Sequence, residues 1–396
     1  MRFNLPWQRR QPVEKKASAA SRVIALQAGS TAVWGPRDTV SLTNLGYSSN
    51  PVGFRAVRMV AEAAAALPLV LQDTQARFET HPVLSLVAHP NAAQARQDFL
   101  EALFASLLLS GNAYVEAVSE TQGWPAELHV LRPERMSVVP GPDGWPQAYE
   151  YRVGGRKHRF NCADMRNPIL HLKNYHPQDD HYGLAPLQAA GSALEVHNAA
   201  SHWSKALLDN AARPSGALVW SGSDGQGGLS DDQFRRLSEE IEVNFQGARN
   251  AGRPMVLEGG LDWKPMGFSP ADMEFQKTKE AAAREIALAI GVPPMLLGLP
   301  GDATYSNYQE ANRAFYRLTV LPLATRVAAS LSEWISGFGG EVVELKPDLD
   351  QIPALASERE AQWRQVSGAE FLSASEKRQL LGLPPLPLGE EGETDV

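Results

Sequence analysis

The chain has 396 residues, 43% hydrophobic and 21% charged, which provides apolar material for two or three packed cores and excludes a largely disordered protein. Its 45 acidic against 37 basic side chains give a formal net charge of −8, a balance that disfavours tight duplex binding but suits weak contact with a passing duplex. A lone cysteine, Cys162, excludes an internal disulfide and a thiolate metal cage. No apolar run reaches the ~20 residues that cross a bilayer, and no apolar stretch follows the basic N-terminus, so neither spanning nor secretion is expected.

Residues 1–25 hold Arg2, Arg9, Arg10, Lys15, Lys16 and Arg22 against Glu14 and read as a mobile basic arm. Residues 50–67 and 97–109 carry apolar residues at helical spacing and are expected as core helices. Short strands at 112–117, 127–131, 136–139, 149–153 and 169–172, separated by Gly/Pro/Asp clusters, predict an antiparallel sheet with hairpin connections. The first region is therefore α+β.

A long helix is expected over 186–210, stopped by Arg213-Pro214 because proline disfavours helical geometry in the residue before it. Residues 218–220 read as a strand. Ser230 and Gln233 form a capping box that starts a helix to about residue 247, and 254–257 and 261–266 read as two strands joined at Gly259-Gly260. Ser269-Pro270 opens a second long helix to about residue 291, with Ser as N-cap and Pro at the first helical position. The pattern is a helical pair carrying an inserted α/β tip. After a loop at 298–305, Ser306 and Gln309 cap a helix to about residue 334. The tail over 357–381 is helical, with Ser373 and Glu376 capping its last piece, and the Pro- and acid-rich end over 384–396 frays.

Chemical motifs are sparse. Neither a dinucleotide loop nor a Walker loop is present, and no nucleophile elbow occurs. His176, Asp179, Asp180 and His181 contain metal-ligand residue types, but the run reads as a polar loop; His197 and His202 are about 140° apart on a helix, too far round to share a metal. Cys162 has no adjacent histidine to activate it. The helix over 272–290 alternates Lys277, Lys279 and Arg284 with Glu274, Glu280 and Glu285, a polarity suited either to solvent or to packing beside copies of itself in a ring.

The ordered set 182–187 (YGLAPL), 210–216 (NAARPSG), 229–233 (LSDDQ), 252–263 (GRPMVLEGGLDW), 285–294 (EIALAIGVPP), 296–298 (LLG), 303–307 (ATYSN), 321–322 (LP), 373–378 (SASEKR) and 382–385 (GLPP) resembles the portal, or connector, proteins of long-tailed double-stranded DNA phages, including the portals of phage-like gene transfer agents. The resemblance spans about residues 45–388. It implies a portal-type α+β fold assembled as a ring, usually of twelve copies. The implied parts are a basic arm (1–25), a wing (26–185), two stem helices (186–210 and 271–292) flanking a clip (211–270), a tunnel loop (293–305), a long helix and wing return (306–350), and a short crown with an acidic tail (351–396).

As the resemblance implies, the ring is a channel at one capsid vertex through which DNA is packaged and ejected. It is not an enzyme and needs no cofactor or metal. Its partners are copies of itself, a large terminase, head-completion or adaptor proteins, the major capsid protein and weakly held, non-specific double-stranded DNA. No membrane is involved, and assembly takes place in the cytoplasm of a bacterial host. Asp302, Thr304 and Tyr305 are expected to face the duplex, with Lys277, Lys279 and Arg284 closing subunit ion pairs or forming a basic band. Phe234, Phe245, Val256 and Trp263 mark the clip surface for terminase and adaptor. The alternatives are a metal-dependent hydrolase built on His176–His181 and a capsid-shell or scaffolding protein.

Overall fold

The computed structural model describes residues 39–73, 76–121, 123–162, 167–209, 216–220, 232, 235–236, 261–265, 271–301 and 305–383. The chain divides into a larger unit, Met1–Gly191 with Ile286–Val396, and a smaller one, Ser192–Glu285. The expected basic arm and acidic end lie outside the described residues, as do the capping box at Ser230 and Gln233 and the strand at 254–257.

Among the described residues of the larger unit, α1 (Thr39–Thr43), continued by a π-turn, comes first, followed by α2 (Pro51–Ala65). The start of α2 is set locally: the Asn50 side chain accepts from the Val52 and Gly53 N–H groups at 3.0 and 2.9 Å, and Pro51 fills the first helical position, where no N–H is needed. Ala56, Val57, Val60, Ala61 and Ala64 then fall on one face and are buried. They pack on α4 (Arg96–Ser110), which buries Phe99, Leu103, Phe104 and Leu107. Between them come β1 (Leu69–Gln72), β2 (Arg77–Phe78) and α3 (Pro82–Ala88).

Six strands follow: β3 (Asn112–Thr121), β4 (Trp124–Leu131), β5 (Met136–Pro140), β6 (Pro146–Val153), β7 (Arg156–Asn161) and β8 (Ile169–Lys173). They form two antiparallel three-stranded sheets, ordered β4-β3-β8 and β5-β6-β7, where the sequence pattern suggested one. The division has a physical reason: Tyr114, Leu131, Met136, Tyr149, Phe160 and Ile169, drawn from both sheets, bury against one another in a shared core that one continuous sheet could not enclose.

The helix expected over 186–210 is broken into α5 (Pro186–Ala189) and α6 (Gly191–Asp209) at Ala190. In the smaller unit β9 (Gly216–Trp220) pairs antiparallel with β10 (Leu261–Pro265), with Leu218 opposite Trp263. The second long helix, α7 (Ala271–Ile290), matches the helix expected to about residue 291, while its Ser269-Pro270 start signal lies outside the described residues. The single helix expected over 306–334 is α8 (Tyr305–Phe315), a π-turn (Tyr316–Val320) and α9 (Leu321–Gly339). Pro322 sits just inside α9; a proline interrupts the helical ladder because it has no N–H to donate, and the wider π-turn immediately before it takes up the disruption.

β11 (Glu344–Pro347) returns to pair with β1 across the length of the chain, giving a third sheet ordered β11-β1-β2. Ser332 and Ser336, one turn apart on α9, accept from the Leu345 and Val343 N–H groups at 2.6 and 3.1 Å, so the outer edge of β11 is closed by side chains. The last helices among the described residues are α10 (Ala356–Ser367) and α11 (Ala374–Leu380). The Ser373 and Glu376 capping box forms as the sequence predicts, with Glu376 Oε2 accepting from Ser373 N–H at 2.8 Å.

Candidate functional site

The best-described candidate surface is α7. Along its inner side Ala282, Ala283, Ile286, Ala287 and Ile290 are buried, spaced as one stripe of a 3.6-residue helix. Lys277 and Arg284 lie on the exposed side, while Lys279 is half-buried. Lys279 is near enough to His197 on α6 to disfavour a second positive charge. Burial first, and that lysine second, hold the His197 imidazole below its ordinary value. Lys279 therefore leans toward the companion helix, whereas Lys277 and Arg284 face outward.

Sequence reasoning missed the contact that joins the two helices of the smaller unit. Trp203 of α6 and Phe275 of α7 stack with ring centroids 4.3 Å apart and planes 16° from parallel. The available signal was a large aromatic side chain on each of two otherwise polar helices, at a distance from the inserted tip. Stacking of this kind adds about 0.5–1.5 kcal/mol beyond area burial.

Of the residues expected to face a duplex, Asp302 and Thr304 lie outside the described residues, and Tyr305 opens α8 with only its backbone described. Phe234, Phe245 and Val256 also lie outside them, and Trp263 is placed by its strand register alone. The structure thus brings Lys277, Lys279 and Arg284 together on one helix and describes, of the remainder, only the backbone of Trp263 and Tyr305.

The histidine loop is built for structure. Asp179 Oδ1 accepts from the His181 and Tyr182 N–H groups at 2.8 and 3.1 Å, an Asx turn that uses the carboxylate as a cap. His176 Nδ1 accepts from Gln178 N–H at 3.1 Å, and the Asp180 carbonyl takes the Lys173 ammonium. Among the described residues no three His, Cys, Asp or Glu side chains come together as a metal-ligand set. His181 is buried, with no hydrogen-bond partner at either ring nitrogen among the described residues. Cys162 is half-buried beside the core shared by the β4-β3-β8 and β5-β6-β7 sheets, and burial pushes its thiol up, away from the reactive thiolate.

Beneath this loop a polar cluster anchors it to α4. Asn112 Oδ1 accepts from Gly183 N–H at 2.7 Å and from His171 Nε2 at 3.1 Å, while Asn174 N–H donates to the Gly111 carbonyl at 2.8 Å. Gly111 has φ +74°, and a Cβ there would meet the Gly183 backbone; a Cβ on Gly183 would meet Gly111 and Asn174. The glycine of the YGLAPL segment is therefore required by backbone-to-backbone packing.

Comparison with known proteins points in one direction. The phage portal protein family matches residues 51–382. A protein of Rickettsia bellii is 40% identical over 348 residues, covering 87% of this chain and 89% of its own. The portal protein of Enterobacteria phage HK97 is 26% identical over 349 residues, 85% of this chain and 79% of that protein. Among solved structures, a chain in the neck of a native gene transfer agent particle, computed with C12 symmetry, is 65% identical, with a TM-score of 0.72 over 89% of this chain and 96% of that one.

Proposed function

Because this chain belongs to the phage portal protein family, we propose that it assembles as a twelve-membered ring at one vertex of a phage-like particle and provides the channel through which double-stranded DNA enters and leaves. The observation that carries the reading is 65% identity over 89% of the chain with a subunit of a neck that has C12 symmetry. Expectations drawn from the family resemblance supply the finer roles. A large terminase docks during packaging; head-completion or adaptor proteins follow it, and the major capsid protein surrounds the ring. Assembly takes place in the cytoplasm of the bacterial host.

Charge fits transport better than grip. Duplex DNA presents one phosphate charge per ~1.7 Å of axis, so a channel rich in fixed cations would hold it in place. This chain has a net charge of −8. The cations that α7 turns outward, Lys277 and Arg284, are separated by roughly two helical turns and give sparse contacts that break as the duplex moves. In this reading Asp302, Thr304 and Tyr305 line the narrow part of the channel, with Lys279 toward the companion helix. Phe234, Phe245, Val256 and Trp263 belong to the surface that meets terminase and adaptor. The ring itself is a passive channel, and nucleotide hydrolysis belongs to the terminase.

Epitope-tagging the chain and labelling purified particles with gold tests the assignment. One label cluster per particle, at the vertex that bears the tail, supports it. Label spread over the shell would support a capsid-shell protein instead, because shells occupy every vertex and face.

A further inference from the structure

Basic side chains concentrate on the sheet β5-β6-β7 and the turn that leads into it. Residues 132–161 hold six Lys and Arg against three Asp and Glu, in a chain whose total charge is −8. The β6–β7 hairpin is the centre of this patch. Its register sets Arg152 directly opposite Lys157 and Glu150 opposite Arg159. Side chains alternate across a strand, so these four share one face, while Tyr149 and Phe160 turn to the other and enter the core.

Like charges directly opposite each other weaken a strand pair. The chain nevertheless sets two cations opposite and gives them one carboxylate to share: Glu150 Oε2 lies 3.9 Å from Arg152 Nη2 and 3.3 Å from Lys157 Nζ. Both cationic side chains stay in water, 60% and 59% exposed. The hairpin also stands clear of the other described residues at its tip. Gly154 and Gly155, at φ +55° and +79°, close it in two residues as a tight hairpin turn requires, and a Cβ on either would meet nothing within 4 Å. Among the described residues β7 has a strand on one side only.

These charges take no part in the core, and an apolar partner would have to strip them of water without replacing it. They suit a partner whose negative charge repeats on both sides of the ribbon. A DNA duplex has that form: it presents one phosphate charge per ~1.7 Å of axis, and its major groove, ~12 Å wide, admits a two-stranded β-ribbon. We propose that the β6–β7 ribbon binds the phosphate backbone of double-stranded DNA through Arg152, Lys157 and Arg159, at a site distinct from the channel. The inference rests on the portal reading above for the presence of DNA beside the chain. It also answers a need of that reading. A channel must let the duplex slide, so cations that hold DNA belong on segments other than α7 and residues 302–305.

Closed-circular duplex DNA separates the two sites, because it cannot thread a closed ring. Purified rings should bind it, and the triple variant Arg152→Ser/Lys157→Ser/Arg159→Ser should lose affinity about tenfold or more at low salt. The slope of log K against log salt concentration should fall by about 3 in the triple variant and by about 1 in Lys157→Ser, since each phosphate contact contributes ~0.9. Circular dichroism and ring yield of the variants should match the parent; if the triple variant misfolds, the single variant decides. Parent rings that leave circular DNA unbound, or a triple variant with parental affinity and slope, overturn the proposal. So do rings that ignore DNA and bind poly-glutamate through the same residues, which would assign the ribbon to an acidic protein surface. A parent chain that forms no ring contradicts the portal reading itself; the variants then still decide the ribbon's role, because the circle binds without threading.

Discussion

His171 donates its Nε2 hydrogen to Asn112 Oδ1 at 3.1 Å, which leaves Nδ1 as the acceptor facing the Tyr149 hydroxyl at 3.5 Å. Asn112 Oδ1 must be the acceptor, because the same residue's Nδ2 already donates to the Ser110 carbonyl and Oδ1 already receives the Gly183 N–H. The imidazole is thus fixed in one neutral tautomer, stacked on Tyr114 at 4.2 Å. Burial, with the nearby Lys173 and His181 adding to it, lowers its pKa from 6.5 to about 3.

The depressed value makes stability depend on pH with a definite sign. The unfolded chain takes up the proton below pH 6.5 and the folded chain only near pH 3, so the contribution is complete above 6.5 and is lost as pH falls through that window. At pH 5 the loss amounts to about 2 kcal/mol, taking 1.36 kcal/mol per pH unit. Unfolding free energies from urea titrations at pH 7 and pH 5 should differ by about 2 kcal/mol more in the parent than in His171→Gln. An equal difference in the two would refute the assignment.

Gly111 and Gly183 should tolerate alanine less well than an open turn glycine does. Gly154 also has positive φ, at +55°, but a Cβ there meets nothing within 4 Å, whereas a Cβ on Gly111 meets backbone that cannot move aside. Gly154→Ala should cost about 1 kcal/mol from backbone strain alone, and Gly111→Ala several times more. Paired urea titrations decide it, and equal costs would mean that the Gly111–Gly183 approach is slack.

Stacking between Trp203 and Phe275 predicts an interaction measurable by a double-mutant cycle. Trp203→Ala, Phe275→Ala and the double variant should give a coupling of about 1 kcal/mol. Additive effects would show that the rings do not hold α6 and α7 together.

Asp350 ties α10 to the turn before it, its Oδ1 accepting from Arg359 Nε at 2.7 Å and Trp363 Nε1 at 2.9 Å, and Arg359 reaches on to the Leu381 carbonyl after α11. The Arg359 hydrogen bond comes first in holding its carboxyl below the usual value, so this tie persists above the unfolded-state pKa and is lost as pH falls through the lower folded value. Because the pair is partly solvated, Asp350→Asn should cost no more than about 1 kcal/mol. It should nevertheless speed limited proteolysis between α10 and α11; unchanged cleavage would contradict the tie.

What the sequence disclosed follows the range of the interactions involved. The start of α11 was legible because the Ser373–Glu376 pair acts over three residues, and α2 was legible from its apolar spacing, although the Asn50 cap that begins it went unread. The pairing of β1 with β11 was not, because Leu69 meets Pro347 and nothing local signals a partner that far along the chain. β7, with the sequence RKHRFN, lies outside the expected strands because its charged residues hide the alternation, and it is held as a strand by pairing with β6. The π-turn before Pro322 was hidden because its apolar spacing continues a helical pattern. At the candidate site, alternating charge on α7 was visible, but the direction of Lys279 depends on what packs beside the helix.

The most direct test of the account is a mass measurement of the purified chain at moderate salt, combined with negative-stain imaging. The account predicts a closed ring of about a dozen copies, with an axial hole wide enough for duplex DNA. A compact monomer or dimer that stays unassembled even with its capsid partners would contradict it.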